Sequence, residues 1–138
     1  MLHSYAEGLF EMKNKMTILD LARKYMAALN AGDVAAARNC LHPDAEIWHN
    51  YDGLEQSVDQ NMATLEFLLS KSKSLSYDIH RQDVIESGYL QRHTLHLVSN
   101  TGIEMQTEAI AIISVKNGKI TRIEEFLDPS PFAPLRDL

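Results

Sequence analysis

Cysteine occurs once among the 138 residues, at Cys40. That excludes an intrachain disulfide and a cysteine-based metal cluster, and it fits a reducing compartment. Nothing near Cys40 is built to lower its pKa, so it reads as a buried helix cysteine rather than a nucleophile. No apolar run approaches the roughly 18–20 residues of a membrane helix. The opening MLHSYAEGLFEMKNK has no basic start, continuous apolar stretch or small-residue cleavage site. The expectation is a cytoplasmic chain without a secretory signal. Positive charge is scarce too. Thirteen Lys and Arg against nineteen Asp and Glu give a net charge of -6, which repels a phosphate backbone and argues against nucleic-acid partners. There is no glycine-rich phosphate loop, nucleophile elbow or Cys-His arrangement. His42, His49, His93 and His96 lack H-x-x-x-H spacing and an accompanying acidic cluster. No metal and no cofactor are expected.

What is present is a helical pattern followed by strands. Ile18, Leu21, Ala22, Tyr25, Ala28 and Leu29 recur at helical spacing from Thr17, and Asn30-Ala31-Gly32 stops the run. Asp33 is placed to cap a short second helix, VAAARNCL, which His42-Pro43 breaks. AEIWHN reads as a short strand. After the turn at Tyr51-Asp52-Gly53, the set Val58, Met62, Leu65, Leu68 and Leu69 marks a third helix, with Ser57 and Gln60 spaced as a capping box within its first turn. Strand-like runs then cover about 75–86, 89–99, 103–115 and 119–128, separated by Ser87-Gly88, Asn100-Thr101-Gly102 and Asn117-Gly118. These turns make neighbouring strands antiparallel. The proline-rich tail, 129–138, cannot extend a central strand and is expected to cross the surface or a sheet edge. The order predicts one α+β domain over 1–138, with a core at 16–128 and an N-terminal helical extension at 1–15. Its helices would lie on one face of a mostly antiparallel sheet, which if strongly curved leaves a conical cavity beneath them.

The run KYMAALNAGDVAAARNCLHPDAEIWHN and the end strand GKITRIEEFLD resemble ketosteroid isomerases of the nuclear transport factor 2-like superfamily. That superfamily also holds SnoaL-type polyketide cyclases and limonene-epoxide hydrolases. The resemblance covers about residues 16–128 and implies a cystatin-like cone of about three helices on a curved sheet. It sets Tyr25 where the isomerase has its oxyanion-holding tyrosine and His49 where it has an aspartate base. Ala111 falls near the position of the protonated aspartate that completes the oxyanion hole, and its lack of an acid puts ordinary steroid isomerisation in doubt.

Each candidate residue also has a plainer reading. Tyr25 is either a core tyrosine with one partner or a donor into a pocket. Neutral imidazole suits His49 to a base's role, yet a histidine ending a strand can simply bond nearby backbone or water. Trp48 and Asn50 share the strand face opposite His49, so the three cannot line one cavity in a regular strand. The WHN string also resembles the aromatic and Asn pair of the epoxide hydrolases, which leaves the inward face open. His93 and His96 lie on opposite strand faces. His93 is favoured because QRH followed by EEFLD resembles a group of SnoaL-like proteins. Glu125 and Asp128 end the last strand, where acids of the cyclase and epoxide-hydrolase relatives bind or activate substrate or water. Glu124-Glu125 could equally be a solvated pair, and Asp128 a turn cap.

The expected function is cofactor-independent acid-base catalysis, of isomerase, cyclase or hydrolase type, on a small, largely apolar molecule. His49, His93, Tyr25 and Asp128 are the catalytic candidates; Trp48, Asn50, Tyr51 and Glu125 are the substrate-binding candidates. The alternative is a non-catalytic ligand-binding or dimerisation module of the same fold. A homodimer through the outer sheet face is expected, because Ile110, Ile112 and their neighbours carry more apolar surface than one helical layer covers.

Overall fold

The structure, a computed structural model, describes residues 2–137, with side chains considered from residue 5 to residue 136. The ends of the expected domain, Met1 and Leu138, lie outside the described residues. The sequence folds in the order α1 (Leu2–Asn30), α2 (Val34–Asn39), β1 (Leu41–His49), β2 (Glu55–Gln56), α3 (Val58–Ser70), β3 (Ser72–Ile85), β4 (Gly88–Ser99), β5 (Glu104–Lys116), β6 (Lys119–Leu127) and a 3-10 segment at Ser130–Asp137. Helix α1 buries Ile18, Leu21, Ala22, Tyr25, Met26, Ala28 and Leu29, the face that the periodicity assigns to the core. Of the helical extension expected at 1–15, residues 2–15 run unbroken into this helix.

Local signals fix the helix ends. The Asp33 carboxylate accepts the Ala36 backbone N–H at 3.0 Å and caps α2. Ser57 and Gln60 form a reciprocal capping box, with Ser57 as the cap just before α3. Helix α2 ends at Asn39, earlier than His42-Pro43 suggests. β1 begins at Leu41, so Pro43 lies inside the strand, where the pairing with β6 shifts register between Leu41 and Glu46. The irregularity tolerates a residue that has no N–H to donate.

The six strands form one sheet in the order β2-β1-β6-β5-β4-β3. All pairs are antiparallel except β1 with β6, which run parallel. Register shifts also fall within the β3–β4 and β5–β6 pairs, and such irregularities bend strands and sharpen twist. The two-residue β2 carries no hydrophobic signal. Arg122 of β6 makes paired 2.9 Å bonds to the Glu55 carboxylate at this edge. Asn117 and Gly118, at φ of 53° and 75°, supply the positive dihedrals of a tight hairpin turn. The inner sheet face carries Leu95, Leu97, Ala111, Ile113 and Ile123 under the helices.

Gly88, the first residue of β4, permits a close backbone approach, since an added Cβ would meet the Ile113 carbonyl oxygen at 2.0 Å. Gly88→Ala is therefore expected to destabilise the fold by at least about 2 kcal/mol, as read from urea unfolding. Gly8→Ala, at an open helical position, is the control and should be neutral or mildly stabilising.

Candidate functional site

A cavity of about 260 Å³ lies between the inner sheet face and the helices. Its walls are mostly apolar, with Met26, Leu29, Leu65, Leu97 and Ile113 among them. Polar groups converge from separate elements: Tyr25 from α1, His49 from β1, Tyr51 from the following turn, Tyr77 from β3, Gln91 and His93 from β4, and Glu125 from β6. Strand parity explains much of this set. Gln91 and His93 are two apart on β4 and share the inward face, and Ile123 and Glu125 do the same on β6.

Glu125 is the hub. His93 Nε2 lies 3.1 Å from Oε2 of its carboxyl group, and His49 Nε2 approaches Oε1 at 3.2 Å. β1 is the direct neighbour of β6, with His49 and Glu125 as register partners. His93 reaches across β5, where Glu125 faces Ala111 and His93 faces Ala109. Both intervening residues are alanines, which leave the gap open.

Donor counting fixes the tautomer of His93. The Gln82 amide nitrogen donates to Gln91 Oε1 at 2.9 Å. The Gln91 amide nitrogen then donates to His93 Nδ1 at 3.0 Å and toward the Met26 sulfur at 3.4 Å. His93 Nδ1 is an acceptor, so its proton sits on Nε2 and is donated to Glu125. Both ring nitrogens of His93 are engaged, and the residue is 2 % exposed. His49, with its Nε2 toward Glu125, has more room, its side chain being 12 % exposed.

Burial by itself would push the Glu125 carboxyl up. Hydrogen bonding from His49 and His93, with the electrostatic attraction of the two rings, outweighs it and holds the pKa down at about 2. The ionised carboxylate acts in turn on its surroundings. Burial first, and the Glu125 charge second, push the phenols of Tyr25 and Tyr77 up. Both remain protonated donors at neutral pH. Among the described residues no group of three or more His, Cys, Asp or Glu side chains is arranged to hold a metal ion.

The structure thus brings Tyr25, His49, His93, Tyr51 and Glu125 to one cavity. It turns the remaining candidates elsewhere. Trp48 points to the outer sheet face, as a neighbour of inward-facing His49 must, and packs edge-on against Phe126 with ring centroids 5.3 Å apart. Asn50 accepts the Leu127 backbone N–H at 2.9 Å and ties the end of β1 to β6. Asp128 caps the tail, accepting the Ser130 backbone N–H at 3.0 Å and the Ser130 hydroxyl at 2.9 Å. His96 takes the outer face opposite His93, and Ala111 lines the cavity without a polar group. Cys40 is buried and free.

Sequence reasoning missed Tyr77, Gln91, Phe132 and Arg136. Gln91 could have been found from its two-residue spacing to His93, and Tyr77 from its alternation with Leu75 and Ile79. Nothing local announced the tail. Instead of merely crossing the surface, it forms the 3-10 segment that buries Leu135 and brings Pro129, Phe132 and Arg136 to the cavity.

A curved sheet wrapped around helices, with polar groups gathered in the hollow, defines a nuclear transport factor 2-like, cystatin-type protein, and solved structures of that fold match it. The SnoaL-like domain model matches residues 22–123, and the chain belongs to that family. Among similar solved structures is PrhC from Penicillium brasilianum NBRC 6234, at 14% identity and TM-score 0.79, over 89% of this chain and 87% of that one. TerC co-crystallised with polyporic acid aligns at 16% identity and TM-score 0.74, over 88% and 99%. A candidate polyketide cyclase from Xanthomonas campestris pv. campestris aligns at 19% identity and TM-score 0.76, over 88% and 98%. No curated protein matches the sequence significantly.

The Glu125 carboxyl is expected to titrate near its depressed value in carbon-detected NMR. Replacing both histidines by alanine should move it above the ordinary 4.5, because burial is then unopposed. Since the folded pKa lies below the unfolded one, the associated stability, on the order of 3 kcal/mol, is fully present above about pH 4.5 and is lost as pH falls toward 2. Urea melts across that interval check the sign.

Proposed function

We propose that this protein is a cofactor-independent acid-base catalyst acting on a small, largely apolar carbonyl compound of polyketide or quinone type. The observation that carries the reading is the ionised Glu125 held between His49 and His93 at an otherwise apolar cavity. A carboxylate on one imidazole nitrogen orients the ring and stabilises the imidazolium that forms when the other nitrogen takes a proton. His49 is the group assigned that task. With Nε2 on Glu125, its Nδ1 is the position that removes a proton from carbon next to a carbonyl. His93, engaged at both nitrogens, is a positioning residue that holds the carboxylate.

The electrons released by proton removal move onto the carbonyl oxygen. That developing oxyanion needs hydrogen-bond donors, and the phenols of Tyr25 and Tyr77 supply them. Returning the proton from His49 to another atom completes an isomerisation; attack by the enolate carbon on a second carbonyl completes a ring closure. The cavity volume of about 260 Å³ lies just below the usual range of roughly 300–1000 Å³ for ligand pockets, which favours a compact ligand. Family membership supports chemistry of this kind, and the structural likeness to TerC crystallised with polyporic acid supports an oxygen-rich ring compound. Arg136 at the cavity suits an acidic substituent. The cytoplasmic placement is part of the same proposal, and no helix among the described residues is long and apolar enough to cross a membrane. So is a homodimer through the outer sheet face, where Ile110 and Phe126 are 44 % and 41 % exposed.

Proton exchange tests the reading without knowledge of the final product. Incubating the protein in D2O with a panel of enolisable cyclic ketones and hydroxyquinones should give enzyme-dependent deuterium incorporation for at least one member. His49→Ala should abolish it. Tyr25→Phe should lower the rate by roughly a hundredfold or more while changing stability by about 1 kcal/mol or less. Tight binding with no exchange across the panel would support the non-catalytic module instead. A large stability loss in Tyr25→Phe with exchange intact would make Tyr25 a core residue. For the dimer, Phe126→Arg is expected to yield a slower-diffusing-to-faster-diffusing shift from dimer to monomer by sedimentation.

A further inference from the structure

The turn that ends α1 does more than stop the helix. Gly32 takes a φ of 66°, its N–H donates to the Leu29 carbonyl at 3.1 Å, and the Asp33 N–H reaches back to the Ala28 carbonyl at 2.9 Å. This is the paired closure of a Schellman motif, which fixes the last helical residue, Asn30, in place. From there the Asn30 side chain crosses to β3. Its amide oxygen accepts the Tyr77 backbone N–H at 2.6 Å, and its amide nitrogen donates to the Tyr77 carbonyl oxygen at 3.2 Å. One side chain thus holds both backbone groups of a residue 47 positions away. β3 is an edge strand, so Tyr77 has a strand neighbour on one side only, and the pairing with β4 shifts register just beyond it, between Ile79 and Arg81. Such a segment is where local opening costs least. Water could satisfy the same two groups at this exposed edge, so what the amide adds is placement.

We infer that Asn30 is a positioning residue for the acid-base site: by tying the end of α1 to the backbone of Tyr77, it sets the spacing between two phenols at the cavity. Tyr77 carries one of them, and Tyr25, on the same helix as Asn30, carries the other. The inference rests on the reading of those phenols as donors to a developing oxyanion. Such donors must lie about 2.7–3.1 Å from the oxygen, and a displacement of about 1 Å can cost roughly a hundredfold in rate. The Tyr77 ring also lies near His93, with centroids 5.7 Å apart, so a shift of β3 at this point would disturb a neighbour of the Glu125 carboxylate as well. Asparagine is the side chain this post requires. Aspartate lacks the donor, leucine of similar size lacks both groups, and glutamine is longer by a methylene.

A double-mutant cycle separates placement of Tyr77 from general support of the fold. Deuterium exchange into a responsive ketone or hydroxyquinone of the panel is measured for the unaltered protein, Asn30→Leu, Tyr77→Phe and the two changes combined. Asn30→Leu, at an exposed position, should lower the exchange rate by roughly tenfold or more with the urea midpoint almost unchanged. In the Tyr77→Phe background the same change should add almost nothing, because the donor it places is already gone. An equal fold loss in both backgrounds, or no loss in either, would overturn the inference while leaving the catalytic reading intact. If the unaltered protein exchanges no member of the panel, the catalytic reading is the one that fails, and the clamp is judged by NMR of carbon-labelled tyrosine. Asn30→Leu should then shift the Tyr77 ring signals and leave those of Tyr89, which is fully buried, in place. Tyr77 signals that do not move would show that Asn30 does not position that ring.

Discussion

A carboxylate stays ionised beside an apolar cavity only if hydrogen-bond donors take the place of water. Glu125 meets that condition with a histidine from either side of its strand, and much of the site can be understood as what it takes to deliver them. β1 must lie directly beside β6 to bring His49 in, which accounts for the functional weight of the one parallel pair in the sheet. β5 must be low where the chain of contacts passes over it, and Ala109 and Ala111 provide that low saddle. Asn50 secures the end of the arrangement by bonding the backbone at Leu127. The residue compared in sequence with an aspartate of the isomerases, Ala111, is therefore better understood as the space through which His93 meets Glu125.

The buried charge also sets the character of the rest of the cavity. Burial first, and this charge second, make ionisation of Tyr25 and Tyr77 harder, so both phenols stay hydrogen-bond donors. The hollow then has a buried anion, phenol donors that favour electron-rich oxygen, and mostly apolar walls. Arg136 adds a cation from the tail. The compact, oxygenated substrate proposed above would meet complementary groups in such an interior.

The sequence carried the architecture well because its signals were local. Capping at Asp33 and Ser57, the helical period from Ile18 to Leu29, and hairpin turns such as Asn117-Gly118 each act over a few residues. Parity along β4 separated His93 from His96, but could not say which face was inward; packing against the helices decides that. The same geometry sends Trp48 outward once His49 is inward. Less legible were features made only by long-range placement. Two polar residues at β2 become a strand because β1 and Arg122 are adjacent. The tail residues Phe132 and Arg136 reach the cavity through the tertiary course of the chain, and proline content reported only what that tail could not be. Gln91 was obscured because a glutamine on a strand has no chemistry of its own until it fixes a tautomer.

The pairing of β1 with β6 has a consequence in time. It joins segments separated by most of the domain, and such non-local contacts form late and slowly compared with hairpins. During synthesis, His49 emerges well before its carboxylate partner, which lies close to the end of the described chain. The helices and the β3–β4 hairpin can begin to organise while the charged hub is still missing. The assembled site is accordingly a property of the chain through β6, and a nascent chain lacking β6 would present an apolar hollow without its anion.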